Sequence, residues 1–195
     1  FLTLILWRSF DSTQQGMQFV ERVEWMPTFN IQYAVGVDGI SILLVILTTL
    51  LCPLCVLCSW TGITTRVRAF LSLILLVEGA MIVVFTALDL FLFFMLWELT
   101  MIPMYFMIIL WGGPNRIAAG LKFVLYSLTG SLLLLVGILG VYLNGGHTYD
   151  LLVLTEQTYS SSTQFWLFLA FFLAFAIKMP MVPFHTWLPD AHSEA

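Results

Sequence analysis

FWLFLAFFLAFAIKMPMVPFHTWLPDAHSEA, residues 165–195, is the stretch on which the reading of this chain turns. Its first half is a membrane helix, apolar on every side, that runs directly into Lys178. Pro180 and Pro183 then break it, because proline has no N–H to give and its ring clashes with the carbonyl four residues back. His185 and His192 follow the break. A cation at the bilayer centre costs about 2.5–3.5 kcal/mol even on insertion scales, so an ionisable residue inside a membrane segment marks an ion or proton pathway by default. The segment therefore reads as an ionisable relay built into a broken membrane helix.

Composition supports the membrane setting. Hydrophobic residues make up 61% of the 195 residues and charged ones 9%, against about 25% charged in ordinary globular domains. The net charge of -4 and the lack of any basic block argue against a nucleic-acid partner. A chain this apolar places its mass in one transmembrane domain, an all-α, polytopic helix bundle, with the lipid bilayer as a partner.

A spanning helix needs about 20 largely apolar residues, and the runs 39–60, 69–88, 90–111 and 117–143 meet this. Residues 1–8 read as the last turns of a helix. Residues 164–179 begin another that breaks and continues over 184–195. The expectation is a fragment of a larger bundle, continued in the same or in a second polypeptide.

Loop charges set the orientation. Asp11, Glu21, Arg22, Glu24 and Asp38 lie in one loop, and Arg66 with Arg68 in the next; Asp89, Arg116, and Asp150 with Glu156 then alternate. Short Lys- or Arg-bearing loops stay on the cytoplasmic or matrix side, and Trp60 and Trp111 close helices at the basic ends as interfacial anchors do. Arg66 and Arg116 are thus inside, and loops 8–37 and 144–164 outside.

Few charges remain within the helices. Glu98, in LWELTMIPMY (96–105), has Phe91, Phe94, Met95, Met101, Ile102 and Tyr105 on its helical face and no local cation. Either another helix supplies its partner, or desolvation keeps it protonated. Pro103 leaves the carbonyl of Leu99 without its helical donor beside this acid. Glu78 is similar, one tight turn away at 88–90, so the two helices are antiparallel neighbours with both acids near mid-membrane.

For Lys178 the alternatives are snorkelling to an interface or burial at a broken helix, which is tolerated only inside protein or along a water-filled cavity. Burial favours the neutral amine and a nearby carboxylate the ammonium, so a Glu–Lys pair that can be made and broken is a proton switch. Lys122, two turns into its helix, either reaches the inner surface or joins the relay. Its helix carries a small-residue stripe, Gly130, Gly137 and Gly140, suited to close packing. His185 and His192, seven residues apart, would share a face of the restarted helix. Each is a relay candidate or an interfacial histidine.

Other features point elsewhere. Cys52, Cys55 and Cys58 lie in an apolar helix, where packing explains them better than a metal or redox site. No Gly-rich phosphate loop, GxSxG or HExxH occurs, and Asp38 before Gly39 reads as a helix N-cap. No metal site and no cofactor site are expected in this chain.

LWELTMIPMY, LKFVLYSLTGS (121–131) and the pattern KxPxxPxHxWLPDAH (178–192) together resemble the antiporter-like subunits of proton-pumping NADH dehydrogenase, respiratory complex I. Within them the M-chain, or subunit 4, family is the nearest in pattern, and VGVDGISILLV (35–45) and LFLFFMLWE (90–98) agree. Subunits of cation/proton antiporters and membrane hydrogenases share the terminal pattern and form the alternative. The resemblance implies about fourteen helices with two inverted five-helix repeats, of which this chain would hold the first. It implies that Glu98 pairs with Lys178 for pumping, that Glu78 and Lys122 are further relay positions, and that His185 and His192 follow the break. It also implies that electrons bypass the chain. NADH, FMN, iron–sulfur clusters and quinone would be held by other subunits, and the partners would be the membrane-arm subunits. The setting would be an energy-transducing membrane, the bacterial inner or the mitochondrial inner one. A purely structural scaffold, tolerant of Glu98→Gln and Lys178→Met, is the remaining alternative.

Overall fold

The structure, a computed structural model, describes residues 2–194; the expected helix ends at residues 1 and 195 lie outside the described residues. The chain forms two compact units, Phe1–Thr100 and Met101–Ala195. Among the described residues, five helical stretches are long and apolar enough to cross a membrane, and the mostly helical class holds.

The first unit contains α1 (Leu2–Ser9), β1 (Gln18–Met26), β2 (Ile31–Val37), α2 (Ser41–Cys58), α3 (Val67–Thr86) and α4 (Leu90–Leu99). The outer loop expected at 8–37 is largely an antiparallel β-hairpin. Pro27–Phe29 makes one tight 3-10 turn, and Asn30 takes the left-handed conformation, φ 56°, that reverses the chain. The register shifts between Gln18 and Glu21 and again between Glu24 and Met26. Phe19, at φ 54°, sits in the first irregularity, as an extra residue in a bulge does.

β2 is the buried strand, with Ile31, Ala34 and Val37 in the core, and it lies over the α3–α4 turn. Leu88 N–H donates to Ala34 O at 2.8 Å, and Val35 bridges Ala87. Asp89, only 2% exposed, caps α4 by accepting from Phe91 N and Leu92 N, both at 2.9 Å. Its second oxygen accepts from Gln32 N at 3.1 Å, tying the hairpin to the same turn. Asp89→Ala leaves these donors unmatched and should cost about 2 kcal/mol or more. Unfolding of the assembled protein in mixed SDS micelles would measure it, with Asp89→Asn losing clearly less.

Asp38 does the capping work expected of it. Its carboxylate accepts from Ile40 N at 3.0 Å and Ser41 N at 2.7 Å, while its carbonyl accepts from Ile42 N at 3.1 Å. The Ser41 N–H holds the Asp38 carboxyl below its ordinary range.

The second unit contains α5 (Met101–Trp111), α6 (Arg116–Asn144), α7 (Leu151–Thr155), α8 (Ser161–Lys178) and α9 (Trp187–Glu194), with a 3-10 turn at Phe184–Thr186. The span 90–111 is interrupted at one residue, Thr100, between α4 and α5, while its 22 residues count as one crossing by length and apolarity. Pro103 offers no N–H to Leu99 O, and the Thr100 hydroxyl donates to Trp97 O at 2.7 Å.

α6 organises this unit. Its glycines let α8 approach: a Cβ on Gly130 would lie 3.3 Å from Ala174 O and from Ile177, one on Gly137 3.2 Å from the Phe171 ring, and one on Gly140 2.7 Å from Leu167. Positions rise along α6 as they fall along α8, so the two run antiparallel. α9 packs on the first turns of α6, where Ile108, Phe123, Trp187 and Ala191 form a buried cluster.

Candidate functional site

α8 ends at Lys178, and the carbonyls its end leaves over find other donors. Met179 N bonds Phe175 O at 2.7 Å and Met181 N bonds Ala176 O at 2.9 Å. Ile177 O accepts from the indole Nε1 of Trp187 at 2.9 Å, a buried bond across the break. The Trp187 ring stacks obliquely on Phe123 of α6, centroids 5.5 Å apart. A broken helix is sustained when neighbouring groups satisfy the freed backbone, and here a single side chain from the restarted half does part of that.

Register on α6 gives the depth of Lys178. Ile177 lies against Gly130, and at 1.5 Å per residue Gly130 stands about 20 Å along the helix from Arg116. Taking Arg116 as one edge of a roughly 30 Å hydrocarbon core, Lys178 falls inside it, about two thirds of the way across. The side chain is half-buried.

Two further links bind the restarted half to α6. Tyr126 OH and Thr186 Oγ1 share a hydrogen bond of 2.8 Å. Lys122 Nζ meets Asp190 Oδ2 at 2.7 Å, with side chains 36% and 53% exposed. Lys122 is thus an ion-pair partner of α9. Because both groups are substantially exposed, a double-mutant cycle with Lys122→Met and Asp190→Asn should give a coupling of only about 0.5–1 kcal/mol. A value near zero would reduce the contact to proximity.

Beyond this pair, Gly113 N donates to Glu194 O at 2.7 Å and Asn115 N to Glu194 Oε2 at 2.9 Å, docking the end of α9 into the α5–α6 loop. A Cβ on Gly112 would lie 2.5 Å from Glu194 O, so this close approach requires glycine. Asn115, Ala118, Ala119, Lys122, Asp190, Ser193 and Glu194 line an open cleft of about 350 Å³.

The histidines fall in two different elements. His185 lies in the 3-10 turn and His192 in α9. His185 Nδ1 is buried, whereas His192 is exposed.

The acids belong to the first unit. Glu78 lies on α3 and is half-buried. Glu98 is half-buried one residue from the end of α4. Each lies eight residues from its helix end at the Asp89 turn, about 12 Å along its helix. The structure thus gathers Lys122 and Lys178 with the proline break in the second unit and the two carboxylates in the first.

Trp187, Asp190 and Glu194 were not singled out from sequence. Their roles depend on α9 lying along α6, and the only hint, for Trp187 and Asp190, was their place in the terminal pattern.

Residues 87–195 match the model of a family described as NADH:quinone oxidoreductase/Mrp antiporter, transmembrane. The chain belongs to this NADH:quinone oxidoreductase/Mrp antiporter family. Residues 5–84 match the amino-terminal model of NADH-ubiquinone oxidoreductase chain 4. Family relatives include NADH-ubiquinone oxidoreductase chain 4 of Chondrus crispus, 44% identical over 99% of this chain and 39% of that one. NADH-quinone oxidoreductase subunit M of Rhodobacter capsulatus is 45% identical over 100% of this chain and 40% of its own. Among solved structures, respiratory complex I from Thermus thermophilus with bound NADH superposes with TM-score 0.84 at 35% identity, covering 99% of this chain and 40% of that one. The Mrp complex from Dietzia sp. superposes with TM-score 0.83 at 21% identity, covering 100% of this chain and 21% of that one, a likeness of fold. The chain spans about two fifths of the length of the curated relatives it matches. Family membership and the apolar helices make it a multi-pass protein of an energy-transducing membrane.

Proposed function

We propose that this chain is part of a proton-translocating membrane-arm subunit of an NADH-quinone oxidoreductase. The observation that carries the reading is the end of an apolar helix at Lys178, followed by a break, inside a family described by oxidoreductase and antiporter function. A lysine about 20 Å from the inner end of α6 is costly there, and such residues are kept for ion pathways.

In this reading Glu98 and Lys178 are the switch. When they pair, the lysine holds its proton; when they separate, desolvation favours the neutral amine and the proton leaves. Glu78 and Lys122 are flanking relay positions, with His185 and His192 beyond the break. Pro180 and Pro183 keep the backbone open around Lys178. The 350 Å³ cleft at Lys122 and Asp190 offers water access from the Arg116 side. Electron transfer, with NADH, FMN, iron–sulfur clusters and quinone, belongs to other subunits. Coupling is a population shift between two pairing states, and the remaining helices are supplied by the rest of the subunit, in the same or a second polypeptide.

A cation/proton antiporter is the second reading, because the family description names both functions. The relatives at 40–45% identity, all named as NADH- or NAD(P)H-linked quinone oxidoreductase chains, favour the first. The test is NADH-driven proton uptake in sealed inverted vesicles, with Glu98→Gln compared at equal complex content. Uptake should collapse in the variant. Persistence of both uptake and NADH oxidation would sink the relay, and ion exchange without any NADH dependence would favour the antiporter.

A further inference from the structure

α6 begins without the local cap that helix starts usually carry. Its N-cap residue, Asn115, makes no side-chain capping bond. A capping box would place Glu or Gln at the third helical position, reaching back to the N-cap N–H, and Ala118 stands there instead. The missing carboxylate comes from α9, 79 positions on, where Glu194 Oε2 accepts from Asn115 N at 2.9 Å. The Glu194 carbonyl accepts from Gly113 N at 2.7 Å. The loop is shaped for this visitor. A Cβ on Gly113 would lie 2.7 Å from Glu194 Oε2, and Ala118 and Ala119 are the small residues that line the cleft beside it.

Trp187, Asp190 and Glu194, spaced three and four apart, form one stripe of α9. Each meets α6 or the loop before it. Trp187 stacks on Phe123, Asp190 Oδ2 takes Lys122 Nζ at 2.7 Å, and Glu194 caps. The middle contact is the weak one. An ion pair this exposed holds little by itself, whereas a carboxylate on backbone N–H groups at a helix start gains from charge assistance and from the helix dipole. The register that puts Asp190 against Lys122 is therefore set at its two ends, by Trp187 and by Glu194. We propose that Glu194 is a positioning residue for the proton relay: as the capping group that α9 lends to α6, it keeps Asp190 on Lys122. This rests on the relay reading above, in which Lys122 is a relay position, and adds a group to it.

The test uses the assembled complex in sealed inverted vesicles, with Glu98→Gln as the control on the relay itself. Glu194→Ala should lower the protons taken up per NADH oxidised about fivefold at unchanged complex content, the scale on which residues remote from the reacting groups shift coupling. Glu194→Gln keeps a side-chain carbonyl for Asn115 N and should retain most of the uptake; a glutamate that itself carried protons would fail as glutamine. Gly113→Ala drives the carboxylate off Asn115 and should reproduce the Glu194→Ala defect, with the double variant no worse than either single one. Hydrogen exchange reads the cap without any pumping: Glu194→Ala should speed exchange of the Asn115 amide about tenfold or more. Normal uptake in Glu194→Ala beside a collapse in Glu98→Gln would overturn the proposal and leave the relay standing. Normal uptake in both would overturn both. Equal failure of the glutamine and alanine variants, or an Asn115 amide that exchanges no faster without the carboxylate, would also overturn the positioning role.

Discussion

Lys178→Met is expected to reduce NADH-driven proton uptake about 100-fold or more in assembled complex, the usual scale for deleting a positioned proton-transfer group. The position of the residue makes the effect this large. Lys178 closes α8 at the level of Gly130, about 20 Å from the Arg116 end of α6. Lys178→Arg separates charge from proton transfer. Arginine keeps the positive charge but holds its proton at any accessible pH, so a relay fails in both variants. A site that needs only a fixed cation would survive the arginine change. Uptake measured beside NADH oxidation and complex content decides the matter, and normal pumping by Lys178→Met would end the proposal for this residue.

Trp187→Ala should destabilise the second unit by about 3–5 kcal/mol, the range for emptying a buried aromatic site. The ring fills the cluster with Ile108, Phe123 and Ala191, and its N–H is the donor to Ile177 O. Trp187→Phe keeps most of the packing and loses only the hydrogen bond, so it should cost about 1–3 kcal/mol. Equilibrium unfolding in mixed SDS micelles measures both. Equal losses for the two variants would mean the bond across the break dominates; a negligible loss for Trp187→Phe would mean that it contributes nothing.

The broken helix was legible because prolines act locally. Pro180 and Pro183 cannot donate, whatever the rest of the chain does. The membrane helices were legible for a similar reason, since length and apolar content are read directly from the residues. The hairpin was not. Its strands span 9 and 7 residues, shorter than any window suited to membrane helices. β1 also exposes most of its side chains, so no buried face sets it apart from a loop. The division at Thr100 escaped as well, because one proline three residues on permits either a kink or an end. At the candidate site, Lys178 and Glu98 stood out as charges in apolar runs. The pairing of Lys122 with Asp190 spans 68 positions, and no local pattern announces it.

The link between Trp187 and Ile177 also bears on how the protein enters its membrane. α8 can partition into lipid on its own apolarity, but α9, with Asp190, His192 and Glu194 in eight residues, cannot, since each acid at depth costs a few kcal/mol. The shorter half must ride in on a helix that already waits there with Lys122, Phe123 and Tyr126 in place. α6 is made earlier in the chain and offers all three. Translation order and insertion order then coincide for these elements, and the break closes after α6 and α8 have crossed, as a docking event within the bilayer.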